Sequence, residues 1–234
     1  MIIDFHSHIL PEMDDGSRSV EQSYRMLRLS AEQGIDAIAA TPHFLPERES
    51  PERFLARRDA AAGLLSDRPE RPRLLLGAEV SYFPGIGRCT EIRALRVGDS
   101  PLLLLEPPFS VWSLHTVEEI CGLSASLRLT PVIAHYERYL RIPGAADAIA
   151  RLLDAGCLLQ SNAEAFLHPG RVRRSVLRAF RDGEISFLGS DCHSDTHRAP
   201  NLGAALPLLS ARLGPEALEA FHRRAGRLLF SHGD

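Results

Sequence analysis

The chain has 234 residues and no lysine: all 27 of its basic residues are arginine. Bidentate anion binding favours arginine, but a drift spread over the whole composition explains the pattern more simply, so it carries no functional weight by itself. Charge of neither sign is massed. With 30 acidic residues the formal charge is −3 and the isoelectric point is about 6.4, which argues against a polyanion groove or an anionic membrane surface. Long apolar runs are missing too. None approaches the ~18 residues that a membrane-spanning helix needs, and the opening Met-Ile-Ile-Asp-Phe-His lacks a basic segment followed by an apolar one. The expectation is a soluble, unexported, cytoplasmic protein. Cysteine is scarce: Cys89, Cys121, Cys157 and Cys192 lie far apart without CxxC spacing, which argues against a thiolate zinc knuckle or a disulfide framework. No linker, repeat or composition shift divides the chain, so a single domain spanning residues 1–234 is expected.

What is present is an alternation of short apolar runs and amphipathic stretches, the pattern of βα units around a parallel sheet. Seven runs read as strands: Met1 to Phe5, Ile35 to Ala40, Leu74 to Ala78, Leu102 to Leu105, Pro131 to Ala134, Cys157 to Leu159 and Ile185 to Leu188. Leu102-Leu103-Leu104-Leu105 is the clearest, because strands buried on both faces are continuously apolar. Helices are predicted over Val20 to Gln33, Pro51 to Leu65, Leu114 to Leu127, Ala145 to Ala155 and Arg171 to Arg181, with two closing helices after Ala204 that part near Gly214-Pro215. Gly34 and Gly156 stand where helix C-caps would be. Phe83 to Gly87 and the Pro107-Pro108 region read as loops. An α/β barrel fits this series better than two domains.

Metal-capable side chains fall at the C-terminal end of nearly every apolar run, where barrel enzymes carry their chemistry. They are His6 and His8, His43, Glu79, Glu106, His135, and Asp191 with His193, while Asp15 follows the first run in a loop. In extended backbone the i, i+2 spacing of His6 and His8 sends both imidazoles to one side, and Asp191 and His193 repeat it. A lone histidine at a strand end is usually structural; two such pairs with acids and imidazoles on the intervening strands point to metal. Nine candidate ligands exceed the needs of one ion, so a cluster of two or three is expected, with Mn²⁺, Fe²⁺ or Zn²⁺ all compatible. Glu79 is placed to bridge two of them. Arg138 and Arg198 accompany ligands and could hold phosphate oxygens bidentately.

The strings Asp4 to Ser17, Ala40-Thr-Pro-His43, Gly77-Ala-Glu-Val80, Ile133-Ala-His-Tyr-Glu-Arg-Tyr139 and Gly189-Ser-Asp-Cys-His193 together resemble the polymerase and histidinol phosphatase (PHP) superfamily. Within it they look like the bacterial manganese-dependent protein tyrosine phosphatases of capsule and exopolysaccharide loci. The resemblance implies a distorted TIM-like barrel of (βα)7 type and a trinuclear site, manganese first among the metals. It implies His6, His8, Asp15, His43, Glu79, Glu106, His135, Asp191 and His193 as ligands, with Arg138 and Arg198 facing phosphate. The implied substrate is a phosphotyrosine protein, the C-terminal tail of an autophosphorylating bacterial tyrosine kinase of polysaccharide export. Three positions depart from the family pattern: Tyr136 where proline is usual, Phe44 where a second histidine is usual, and Cys192 where alanine is usual. Tyr136 and Phe44 are expected to reshape the substrate mouth.

The implied chemistry is in-line attack on phosphorus by a metal-bound hydroxide. A tyrosine leaving group, with a pKa near ~10, needs little help from a general acid, so Glu137 and His197 are not expected to be essential. The rivals are a small-molecule phosphatase of the histidinol-phosphate kind, a superfamily nuclease, and a non-catalytic barrel that docks a kinase tail. A cysteine mechanism is a further rival, because Cys192 and Arg198 satisfy Cys-x5-Arg; the stretch between them has no glycine to let backbone N–H groups cradle phosphate.

Overall fold

A computed structural model describes residues 1–66 and 72–231. Among the described residues nine strand segments alternate with helices: β1 (Ile3–Ser7), β2 (Ala37–Ala40), β3 (His43–Phe44), β4 (Arg73–Leu76), β5 (Glu79–Ser81), β6 (Leu102–Glu106), β7 (Thr130–Ile133), β8 (Leu158–Asn162) and β9 (Ile185–Gly189). Every pairing between them is parallel, in the orders β1-β2-β4 and β3-β5-β6-β7-β8-β9. The seven predicted runs survive as seven staves. β2 and β3 are one stave interrupted at Thr41-Pro42, where proline offers no N–H to the ladder, and β4 and β5 are one stave interrupted at Gly77-Ala78. The gap beside β4 is closed by Val97 and Gly98, whose N–H groups donate to the carbonyls of Leu102 and Leu76. β9 returns to β1 through a parallel bridge between Ser7 and Cys192, with His8 N donating to Cys192 O at 2.9 Å and Asp191 N to His6 O at 2.8 Å. The distorted seven-stave α/β barrel expected from the sequence is the architecture found.

The helices are α1 (Val20–Glu32), α2 (Pro51–Gly63), α3 (Leu114–Leu127), α4 (Tyr136–Tyr139), α5 (Ala145–Asp154), α6 (Glu164–Leu167), α7 (Arg171–Arg181), α8 (Leu202–Leu213) and α9 (Pro215–Phe230). Ser19, Ser50 and Ser113 cap α1, α2 and α3 by accepting from backbone N–H groups three residues on, each worth on the order of 1 kcal/mol. The single-turn helices α4 and α6 were not predicted. Four residues are too few to show a period in sequence, and both are fixed by the strand ends they follow.

Strand periodicity sorts the core into two layers. Ile3, Phe5, Ala37, Ala39, Leu102, Leu104, Val132 and Phe187 form one buried cluster with Ala225 and Leu229 of α9, and Phe5 stacks on Phe187 with ring centroids 3.9 Å apart. The alternate residues, among them Ile38, Ala40, Leu103, Leu105, Ile133 and Leu159, join a larger cluster with the helices. In β6 the face carrying Leu102 and Leu104 ends in Glu106, so the same period of two that builds the apolar plug delivers a carboxylate above it. Among the described residues no helix is long and apolar enough to cross a membrane.

Candidate metal centre

The expected ligands arrive from the ends of six staves, β1 and β9 supplying two each and the loop after β1 adding Asp15, and the fold brings all nine together. Ligand atoms lie within 4.8 Å of one another in four overlapping groups: His8, Asp15, His43 and His193; His6, Glu79 and His135; His6, His8 and Asp191; His43, Glu79 and Glu106. His6, His8, Glu79, His135, Asp191 and His193 are buried, whereas Asp15 is the exposed member. The i, i+2 reading of the first strand holds, since the Nε2 atoms of His6 and His8 stand 3.1 Å apart. Two glycines make the approach possible. A Cβ on Gly16 would lie 2.5 Å from His8 Cβ, and one on Gly189 would lie 2.5 Å from His6 Cβ, distances no side chain tolerates.

Two carboxylates organise the cluster. Glu79 directs Oε1 to His135 Nε2 at 2.7 Å, while Oε2 lies 2.9 Å from His43 Nδ1, 3.2 Å from His6 Nε2 and 3.3 Å from His8 Nε2. Asp191 presents Oδ1 to His8 Nε2 at 3.4 Å and to His6 Nε2 at 3.6 Å. Its other oxygen, Oδ2, is ion-paired with Arg198 Nη2 at 2.6 Å and accepts from Asn162 Nδ2 at 2.9 Å and Arg138 Nη2 at 3.0 Å. One carboxylate thus faces imidazoles on one side and both predicted phosphate-facing arginines on the other.

The donor set fits cations. Glu79 Oε2, His43 Nδ1 and His193 Nε2 are buried without a hydrogen-bond partner among the described residues, although other ligand atoms lie within ion-pair distance. Such close but unaligned lone-pair atoms cost free energy unless a shared positive charge satisfies them. The electrostatics lean the same way. Burial opposes ionisation of Glu79, yet the imidazoles of His6, His135 and His43 hold its carboxyl well below the usual range. Burial also opposes a charged His6 and His8, but the surrounding carboxylates outweigh it and raise both. In His193 burial and neighbouring His8 win, and the imidazole falls to about 4. Glu79 and Asp191 are thus held ionised and His193 neutral, while burial and the neighbouring Glu79 raise Glu106, a balance that a divalent ion would tip toward the charged carboxylate.

Backbone strain concentrates here. Among the described residues, three of the five non-glycine residues with positive φ are His135, Asp191 and Arg198, each near +54°. The left-handed region costs roughly 1–2 kcal/mol for such residues. It is held by Asp191 N donating to His6 O and by Arg198 O accepting from His193 N at 2.9 Å.

Several residues that the sequence reading did not single out support the cluster. Asp14, not only its neighbour Asp15, is built in: its Oδ2 takes His8 Nδ1 at 2.6 Å and His43 N at 2.8 Å, and its Oδ1 takes Gly16 N at 2.9 Å. These contacts outweigh its burial and hold the carboxyl far below the usual range. Gln160 Oε1 accepts from His135 N at 3.0 Å and lies 3.4 Å from His6 Nδ1; Asn162 Oδ1 lies 3.3 Å from His135 Nδ1. Both stand on β8, which runs three residues beyond the predicted end at Leu159. The polar string Gln160-Ser161-Asn162 directly after an apolar run was the available signal. Asp4 Oδ1 accepts Ser190 N at 2.8 Å, and burial pushes its carboxyl up to about 6.

Other expectations are corrected or refined. Phe44 is 1 % exposed and packs edge-on against Phe54, so it does not touch the mouth; Tyr136 is also buried. Glu137 accepts from Ser161 Oγ at 2.9 Å and Asn162 N at 3.1 Å and so ties α4 to β8, while His197 sits exposed in the loop after His193. Cys192 is fully buried, and burial with Asp4 and Asp191 nearby drives its thiol upward, the reverse of a nucleophilic cysteine. Asp195 is taken by Arg25 and Gln22 of α1, which anchors that loop. At the rim, Phe109 is 53 % exposed, stacked on Tyr139 at 5.6 Å, with Arg138 Cζ 5.5 Å from its ring centroid. Three clefts flank the cluster: one of about 600 Å³ with Arg138, Arg198 and Asp191 in its lining, one of about 570 Å³ beside His43, Asp15, Arg48 and Glu49, and one of about 310 Å³ beside Asp15, His193 and Arg198.

The comparisons with known proteins follow this geometry. A family model described as capsular polysaccharide synthesis, CpsB/CapC, matches residues 2–229. The tyrosine-protein phosphatase CpsB of Streptococcus pneumoniae is 30% identical over 231 residues, covering 91% of each chain. The tyrosine-protein phosphatase YwqE of Bacillus subtilis is 30% identical over 225 residues, 92% of this chain and 86% of that one. Among solved structures, one described under YwqE from Bacillus subtilis and CpsB from Streptococcus pneumoniae, unique metal-dependent tyrosine phosphatases, superposes with a TM-score of 0.83 at 26% identity, covering 97% of this chain and 94% of that chain.

Proposed function

Since the chain belongs to the capsular polysaccharide synthesis family CpsB/CapC, we propose that it is a metal-dependent tyrosine-protein phosphatase with two or three divalent ions held by the nine clustered side chains. The relatives carry the enzyme class. The residue roles rest on one observation: imidazoles and carboxylates converge at the stave ends while Arg138 and Arg198 reach the same oxygen of Asp191. His6, His8, Asp15, His43, Glu79, Glu106, His135, Asp191 and His193 would hold the ions, with Glu79 and Asp191 each in contact with several of the imidazoles. Manganese is the first choice, with iron or zinc compatible with the same mixed donors. When bound, such ions polarise phosphoryl oxygens and lower the pKa of water at neutral pH.

The chain's own side chains do the rest. Arg138 and Arg198 exchange Asp191 for phosphate oxygens and orient the phosphoryl group over the cluster. Phe109, held against Tyr139 beside Arg138, offers an apolar face to an aryl ring, which favours phosphotyrosine over a small alkyl phosphate. The departing phenolate is a good leaving group, so neither Glu137 nor His197 has to deliver a proton. The substrate is the tail of an autophosphorylated bacterial tyrosine kinase of capsule or exopolysaccharide synthesis, the compartment is the cytoplasm, and the whole chain acts as one phosphohydrolase domain.

The test is turnover of a phosphotyrosine peptide by metal-stripped protein with Mn²⁺ restored, beside His6→Ala and Arg138→Ala. Activity restored in the parent and lost in both variants supports the reading. A metal-loaded parent that leaves the peptide intact but hydrolyses histidinol phosphate moves it to small-molecule chemistry.

A further inference from the structure

The cleft that contains Arg138, Arg198 and Asp191 is larger than one phosphoryl group requires. At about 600 Å³ it matches the space of a drug-sized ligand, and it runs from the strand end at Asp191 between α4 and the α6–α7 corner. Three more arginines line it away from the ligand cluster: Arg141 just after α4, and Arg171 and Arg173 in the first turn of α7. Every acid in the lining already has partners. Glu137 is engaged by Ser161 and the backbone of Asn162, Glu164 by His168 and Asn201, and Asp191 by the two inner arginines. Arg141, Arg171 and Arg173 have no ion pair among the described residues, and Arg141 and Arg171 are exposed.

Two arginines in a first turn, with no acidic residue there, run against the helix dipole, which favours carboxylates at that end. This arrangement destabilises α7 slightly. It leaves an uncompensated positive field inside a concave wall that is continuous with the phosphate-facing arginines. Charge of this kind, focused by a cleft, recruits anions, and guanidinium groups bind carboxylate and phosphate in the same forked geometry.

Resting on the phosphotyrosine reading above, the geometry points to a second anion subsite formed by Arg141, Arg171 and Arg173. It receives an acidic group on the same peptide that presents its phosphotyrosine to Arg138 and Arg198. The favoured substrate is therefore a segment in which phosphotyrosine is flanked by further anionic side chains, carboxylates or a second phosphotyrosine.

The experiment measures the affinity of metal-loaded protein for three peptides built on a non-hydrolysable phosphotyrosine mimic: neutral flanks, glutamate flanks, and a second mimic in place of the glutamates. Parent protein is compared with the double variant Arg171→Glu, Arg173→Glu. Glutamates in a first turn suit the helix dipole, so the variant keeps α7 folded, and an unchanged melting temperature verifies this. The parent is expected to prefer one or both anionic peptides about tenfold over the neutral one, and the variant to lose or invert that preference. Preference for the glutamate peptide identifies carboxylate recognition; preference for the doubly modified peptide alone identifies phosphate. Equal affinity for all three peptides in the parent, or a preference unaltered in the variant, overturns the subsite. Failure of the phosphatase reading looks different: the parent then binds none of the peptides and does not hydrolyse the corresponding natural phosphopeptides.

Discussion

Arg198 and Asp191 meet at 2.6 Å through Oδ2, the carboxylate oxygen turned away from His6 and His8. Arg138 reaches the same oxygen at 3.0 Å, so the two guanidinium groups are aimed by one carboxylate at the edge of the cluster. Phosphate oxygens arriving there gain two charge-assisted forks without waiting for long side chains to search for them. Charged hydrogen bonds are worth about 1.5–3 kcal/mol each, so Arg198→Ala and Arg138→Ala should each lower kcat/KM for a phosphotyrosine peptide about 10- to 100-fold. Metal content, read by elemental analysis of the purified variants, should stay at the parent level. Loss of metal along with activity would mean that the arginines serve the cluster rather than the substrate.

Asp14 provides a different signature. It bonds to His8 Nδ1 at 2.6 Å and to His43 N at 2.8 Å, so it sets the orientation of one imidazole and the backbone of another ligand. Partners of this type commonly alter metal affinity 10- to 100-fold. Asp14→Asn should therefore need about that much more Mn²⁺ for half-maximal activity yet approach the parent rate at saturating metal. An Asp14→Asn protein that titrates with Mn²⁺ like the parent would remove Asp14 from the site.

The nine clustered side chains and the seven staves were legible because both follow short-range rules. A buried parallel strand is an unbroken apolar run, and the residue at its end is the one that emerges at the barrel mouth. Asp14, Gln160 and Asn162 were harder to read. Asp14 sits beside Asp15 in a loop with no period, and only the fold shows which of the two turns back on His8 and His43. Gln160 and Asn162 lie on a strand whose apolar part stops at Leu159, so the polar half of β8 looked like loop. The misjudged mouth residues teach the same lesson. Phe44 follows a ligand directly, yet one step along a strand reverses the face, and it enters the core against Phe54. Phe109, twenty-six residues before His135 in sequence, is the aromatic that reaches the rim.

Phe109 should discriminate among leaving groups. Its ring is fixed by stacking on Tyr139, whose hydroxyl donates to Pro107 O at 2.8 Å, and Trp112 packs edge-on against Tyr139 at 4.8 Å. A preorganised aromatic pair contributes about 0.5–1.5 kcal/mol, equivalent to roughly 2- to 10-fold in affinity. Phe109→Ala should raise KM for a phosphotyrosine peptide by that factor while leaving KM for the matched phosphoserine peptide within about twofold. Equal increases for both peptides would show that the loop, not the ring, was lost.

Stability toward acid has a component remote from the metal centre. Burial, with the N-terminal ammonium adding to it and Asp36 opposing, holds His222 of α9 at about 4. The unfolded chain titrates this group near ~6.5. Between those values the unfolded state binds the proton first, so the contribution of neutral His222 is present above pH ~6.5 and is lost as pH falls toward 4. The full shift would correspond to about 3 kcal/mol; because the side chain is only half-buried, solvent screening reduces this to roughly 1–2 kcal/mol. In His222→Gln that component disappears, while the titrating ligands remain common to both proteins. Urea unfolding of metal-free parent and variant at pH 7 and pH 4.5 should therefore show the parent losing about 1 kcal/mol more than the variant on acidification. Equal losses in the two proteins would mean that His222 is already protonated in the fold and that its burial does not resist acid.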